Sequence, residues 1–194
     1  MAIKTAAQEP ARSARERLLA AANELFYAEG VHTVGIDRVI EKAGVAKASL
    51  YNTFGSKDEL VRAYLEGRHA RVAARITRHV DGHETARGKL LAVFEAQGEL
   101  FAEPEFRGCA FARATAEAHS TVVDRAADDY RAWVRSLLTG LAREAGAPDP
   151  VLLGLQLHMI YDGASQSARM DHAPAAAAAA GAAAEALLDA ALAG

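Results

Sequence analysis

The chain holds a single cysteine, Cys109, among 194 residues. No disulfide can close within it, and such thiol usage agrees with a reducing compartment. No segment alternates apolar and polar residues in the manner of a strand. No apolar run approaches the roughly 18 residues that span a bilayer, because the alanine-rich end is weakly apolar and is interrupted by Glu185 and Asp189. The N-terminal residues lack the apolar centre of a secretory signal. A soluble, cytoplasmic protein without membrane contact is expected.

Net positive charge is also missing: the formal balance is −3. It is unevenly spread, with ten Lys/Arg against nine Asp/Glu in residues 1–70 and twelve against sixteen in the remainder. A weakly basic front on an acidic body allows DNA contact through a local patch, without a long sequence-blind grip on phosphates.

Catalytic signatures are absent as well. There is no glycine-rich phosphate loop, no nucleophile elbow and no paired Glu-x-x-His of a di-iron bundle. The seven histidines are scattered, and Glu117 and His119, two residues apart, point to different helix faces. Neither an enzyme nor a metal or other cofactor is expected.

What the chain has in abundance is helical patterning. Hydrophobic residues make up 51%, enough to bury a substantial core. Ser13 and Glu16 form a capping-box pattern opening a helix that runs to Gly30, and Ser56 and Glu59 open another that reaches about residue 80. Between them lie two short helices, 36–43 and 46–54. Further helices are expected at 85–101, 106–119, 121–145, 151–170 and 175–192, with Pro174 suited to a helix start. The architecture is all-α, with about nine helices and no sheet.

Residues 30–60 carry the functional signal. Ile36, Val39, Ile40 and Ala43 give an apolar stripe, and Gly44 supplies the backbone freedom for a sharp turn. In the next helix Leu50, Tyr51 and Phe54 occupy one side, and Lys47, Ala48 and Ser49 the other. A helix-turn-helix needs this arrangement, since its second helix anchors one face while offering small and basic side chains to the major groove.

From about residue 12 to 65 the sequence resembles the DNA-binding domain of the tetracycline-repressor (TetR-like) family. Phe26, Gly30, Ile40, Ala43, Gly44, Val45, Leu50, Tyr51, Phe54, Lys57 and Leu60 carry the likeness in their order and spacing. The resemblance implies a disordered N-terminal arm (1–11), a helix-turn-helix domain (12–58) and a helical ligand-binding and dimerisation domain (59–194). It also implies a homodimer through the last two helices, a double-stranded palindromic DNA operator as partner, and release by a small-molecule effector, most often from repression. The rival class is a DNA-binding regulator without a small-molecule ligand, controlled by a partner or through Cys109 as a redox sensor.

By position, Lys47 suits a guanine edge and Ala48 a thymine methyl. Ser49, Tyr51 and Thr53 suit phosphates, which set register more than sequence. Lys57, in the first turn of a helix, suits another phosphate. Arg38 either reaches the groove or backbone or pairs with Glu41, and the Tyr51 ring either faces DNA or joins the core. Two departures from the family pattern are Gly35, where a threonine cap is usual, and Ala46, where serine is common.

For the body, the candidate ligand lining is Phe94, Gln97, Phe101, Cys109, Arg113, Trp133, His158, Tyr161, Asp162 and Gln166. His158, Tyr161, Asp162 and Gln166 follow helical spacing beside Leu155 and Met159, which points to one shared face toward a pocket, solvent or a partner chain. Cys109 is either a sensor thiol or a small packed hydrophobe.

Overall fold

Capping chemistry sets most of the helix boundaries. At the start of α1 (Ala14–Glu29) the Ser13 hydroxyl accepts the Glu16 N–H at 3.2 Å, while the Glu16 carboxylate accepts the Ser13 N–H at 2.7 Å. This reciprocal box satisfies two donors that a helix end leaves free. The helices α2 (Ile36–Ala43) and α3 (Lys47–Phe54) start at Gly35 and Ala46 without any side-chain cap, as the two departures from the family pattern predict. Between α2 and α3 the turn passes through Gly44 at φ 61°, a left-handed conformation that glycine adopts at no steric cost.

The computed structural model describes residues 12–118, 120–172 and 175–193. The expected arm at 1–11, His119 and the helix start at Pro174 lie outside the described residues. The remaining helices are α4 (Lys57–Asp81), α5 (Ala86–Phe101), α6 (Ala110–Glu117), α7 (Thr121–Glu144), α8 (Pro150–Asp171) and α9 (Ala175–Leu192). Among the described residues there are nine helices and no strand, which is the all-α expectation.

One boundary differs from expectation. The helix expected at 106–119 occupies only Ala110–Glu117. Gly108 stands at φ 90°, and a Cβ there would lie 2.5 Å from Arg169 Cδ. The chain therefore crosses close to α8 in an extended, glycine-dependent conformation before α6 can begin.

Packing joins the first three helices to α4. Leu18, Ala22, Val34, Val39, Leu50, Leu60 and Leu65 are fully buried, each Leu or Val contributing about 1.5–3 kcal/mol relative to exposure. Phe26 meets Tyr64 edge-on at 5.6 Å. Because α4 continues past this cluster to pack on α5 and α7, one helix serves both the helix-turn-helix and the body.

In the body α8 packs on α7 and α9, and α9 also lies against α5. By length and composition α9 is apolar enough to cross a membrane, which the low apolarity of alanine had argued against. It packs on the body by one face only: Ala177, Ala180, Ala184 and Leu188 are buried, 22% of the helix. Its two acids, Glu185 and Asp189, both receive the Arg87 guanidinium at 2.6 and 3.0 Å.

Candidate nucleic-acid interface

The helix-turn-helix presents a clear division of labour within α3. Leu50 is buried, whereas Lys47, Ala48, Tyr51 and Thr53 are exposed and Ser49 is half-buried. With 45% of its surface free, the Tyr51 ring is an outward group. Thr53 turns its hydroxyl back to the Ser49 carbonyl at 2.6 Å, so it must release that bond before donating to a phosphate. Arg15 lies over the Phe54 ring at 5.7 Å and helps fix the end of the helix.

Most cations of this face are already paired. Lys47 Nζ donates to Asp37 at 3.0 Å, and Lys42 to Glu24 at 2.6 Å. Arg38 is not paired with Glu41, the neighbour along its own helix. It instead makes a forked contact with Glu29 of α1, at 2.6 and 2.9 Å. A planar guanidinium and a carboxylate match in this two-point geometry, which a backbone-linked neighbour three residues away does not offer here. The Glu29 partner raises the Arg38 pKa, and the Asp37 partner does the same for Lys47. Both stay charged at any pH of interest. Lys57 is half-buried in the first turn of α4, where burial lowers its pKa and Asp58 opposes the shift.

The body touches this head at a few well-defined points. Arg113 of α6 donates to the Tyr27 carbonyl in the last turn of α1, at 2.7 Å. Glu117, at the end of α6, accepts the His32 N–H at 3.3 Å. The Tyr27 hydroxyl lies 3.2 Å from the Gly108 carbonyl and 3.0 Å from the Arg107 N–H, and Arg68 stacks over its ring at 3.6 Å. The Ser120 hydroxyl donates to Asp58 at the start of α4, at 2.7 Å. These contacts join α6 to α1, and the α6–α7 connection to α4. None of these contacts has a local sequence signal, since the partners lie tens of residues apart.

A cavity of about 670 Å³ opens between α6, α7 and α8. Of the ten sequence candidates, Cys109, Asp162 and Gln166 line it. Phe94, Gln97, His158 and Tyr161 are buried behind that wall instead. Gln97 donates to the Tyr161 carbonyl at 2.7 Å and to the Ser165 hydroxyl, a lining group, at 3.0 Å. Phe101 meets Phe106 and Trp133 meets His69 in tilted ring contacts, away from the lining. Arg113 lines a neighbouring groove. The single shared face expected for α8 is split: His158 and Tyr161 point inward, while Leu155 and Met159 are 41% and 67% exposed.

Residues missed from the sequence complete this cavity. Tyr130 stacks on Phe111 at 3.9 Å, and its hydroxyl meets that of Tyr161 at 3.2 Å. Arg131 donates to Asp162 at 2.7 Å. Burial raises the Cys109 pKa, so its thiol is protonated and lacks the thiolate character of a redox sensor. Among the described residues no group of three or more side chains is placed to hold a metal ion.

The first four helices thus form a helix-turn-helix head, on an all-helical body with a cavity open to solvent. The family model described as bacterial regulatory proteins, tetR family, matches residues 18–64. A TetR-family transcriptional regulator from Streptomyces coelicolor is 35% identical, with 92% of this chain and 95% of that chain covered at a TM-score of 0.85. A putative transcriptional regulator from Streptomyces avermitilis is also 35% identical, with 93% and 98% covered at a TM-score of 0.83. The uncharacterized HTH-type transcriptional regulator TtgW of Pseudomonas putida is 41% identical over 68 residues, 35% of this chain, and the match covers 49% of that protein's length. The chain belongs to the TetR family of DNA-binding transcriptional regulators, which are not enzymes.

Proposed function

We propose that the protein binds a palindromic operator as a homodimer, represses transcription in the cytoplasm, and lets go when a small molecule enters the α6–α7–α8 cavity. The observation that carries the DNA reading is the α3 surface, where buried Leu50 anchors the helix and Lys47, Ala48 and Tyr51 face outward together. In this reading residues 12–58 form the head and 59–194 the body. Lys47 and Ala48 read base edges, while Arg38, Ser49, Tyr51, Thr53 and Lys57 set register on phosphates.

Dimerisation through α8 and α9 is supported by an uncovered apolar stripe. Val151, Leu155 and Met159 recur one turn apart on α8 and are 64%, 41% and 67% exposed. Such an exposed apolar stripe supports an interface on this face of α8. A two-fold dimer places two α3 helices on successive major grooves of one DNA face.

For release, a ligand that wedges α6 away from α7 or α8 pulls on Arg113 and Glu117, and through them on α1. The two heads then no longer match one operator spacing. Gel-shift titration of a palindromic fragment from the protein's own promoter region tests the DNA reading. A retarded complex at low salt is expected, and its absence without ligand would overturn it.

A further inference from the structure

The last turn of α1, the connection at 102–109 and the C-terminal half of α8 enclose an open groove of about 690 Å³. Its charged groups are Arg107, Arg113 and Arg169, with His172 beside them, and no carboxylate lines it. Three guanidiniums in one concavity repel one another unless something negative lies between them. Their present partners do little to offset this. Arg107 donates to the Pro104 and Phe106 carbonyls at 3.0 and 2.9 Å. Arg113 holds the Tyr27 carbonyl and stands 3.7 Å from Glu117. The Arg169 guanidinium joins no ion pair or hydrogen bond among the described residues.

The backbone is shaped around Arg169. Its stem crosses Gly108 where any Cβ would collide with it, and Gly108 sits at φ 90°. His172, at the groove mouth, is the C-cap of α8 and holds φ 52°, the left-handed conformation in which many helices end. Phe106 and Met170 supply an apolar wall, and Met170 is largely exposed.

We propose that this groove binds an organic anion, with a carboxylate or phosphate head between Arg107 and Arg169 and a small apolar body against Phe106 and Met170. Guanidiniums suit such heads because their N–H groups match two oxygens at once, and the volume is that of a small-molecule site. The groove adjoins the α6–α7–α8 cavity through Gln166 but has the opposite charge at its centre. It also touches the head directly, since Ala28 of α1 forms part of its wall. An anion that draws Arg113 off the Tyr27 carbonyl frees the end of α1, so occupancy lowers operator affinity.

The full chain, without DNA, is titrated calorimetrically with octanoate, phenyl phosphate and octylamine at equal ionic strength. Octanoate or phenyl phosphate binds and octylamine does not, the tighter of the two anions identifying the head group. Arg169→Gln and Arg107→Gln each weaken the anion by about tenfold; Arg169→Gln leaves the melting temperature unchanged, because among the described residues its guanidinium joins no ion pair or hydrogen bond, whereas Arg107→Gln also gives up two hydrogen bonds to backbone carbonyls. Heat from octylamine equal to that from the anions, no heat from either anion, or unchanged affinity in both variants overturns the proposal. DNA is absent from the titration, so these outcomes are independent of the operator reading.

Discussion

Lys47 Nζ donates to Asp37 Oδ1 across 3.0 Å, tying the first residue of the recognition helix to the first turn of the helix before it. The pair is exposed and therefore readily exchanged. In the proposed operator complex, guanine acceptors compete for the ammonium while the phosphates repel Asp37. Asp37→Asn is expected to tighten binding to all duplexes, because a negative charge leaves the DNA face, and to narrow the gap between operator and random sequence. Lys47→Ala is expected to relax base preference. Anisotropy titrations with operator and scrambled duplexes read both effects.

Lys57 is assigned to a phosphate, which carries no sequence information. Lys57→Ala should weaken operator and random DNA alike and lower the slope of log K against log salt by about one unit. A loss confined to the operator would move Lys57 to a base contact.

Leu155 and Met159 form an apolar stripe that water covers in the single chain. Leu155→Asp with Met159→Asp is expected to convert a dimer to a monomer in sedimentation velocity and to abolish operator binding, while helicity stays the same. A wild-type monomer at micromolar concentration would remove the interface from α8.

His158 is buried, and that burial lowers its pKa below the ordinary 6.5; Asp162 partly opposes the shift, and Arg131 and Arg135 reinforce it. Burial also lowers the His69 pKa, with Asp129 opposing. The unfolded chain therefore takes up protons that the folded chain refuses, so stability is full above 6.5 and falls as pH drops through that value. His158 Nε2 has no hydrogen-bond partner among the described residues, so His158→Leu should reduce this dependence to the His69 share without lowering the melting temperature at pH 8. Glu99 acts in a separate, lower window. Hydrogen bonds from His79, Arg78 and Arg75 hold its pKa at about 2 against an ordinary 4.5, so that contribution is lost only as pH falls below 4.5. Melting curves from about pH 8 to about pH 3 resolve the two.

Gly30 combines φ 98° with a Cβ position 2.4 Å from a Glu117 oxygen. Gly30→Ala is expected to cost about 1–3 kcal/mol of stability and to push Glu117 off the His32 N–H. Denaturant unfolding reads the first effect. Hydrogen exchange at His32 reads the second.

Local chemistry made much of this protein legible in its sequence. The capping boxes at Ser13 and Ser56, the turn at Gly44 and the uncapped starts at Gly35 and Ala46 act over three or four residues, so spacing alone reveals them. The same holds for the outward set on α3, because one buried Leu50 orients the whole helix. Where reading failed, the deciding partner was distant. Arg38 chose Glu29 over Glu41 because α1 brings a two-point acceptor within reach. The ligand candidates divided between wall and core because α7 supplied Tyr130 and Arg131, and residues 106–109 stayed non-helical because Arg169 crosses Gly108. By itself the sequence determined most of the helices, the caps at Ser13 and Ser56 and the outward set on α3, all consequences of short-range backbone and side-chain preferences. The tertiary structure alone decided which cations are already paired, which α8 residues face inward, and how α6 grips α1, because those outcomes depend on charges and surfaces meeting across the fold.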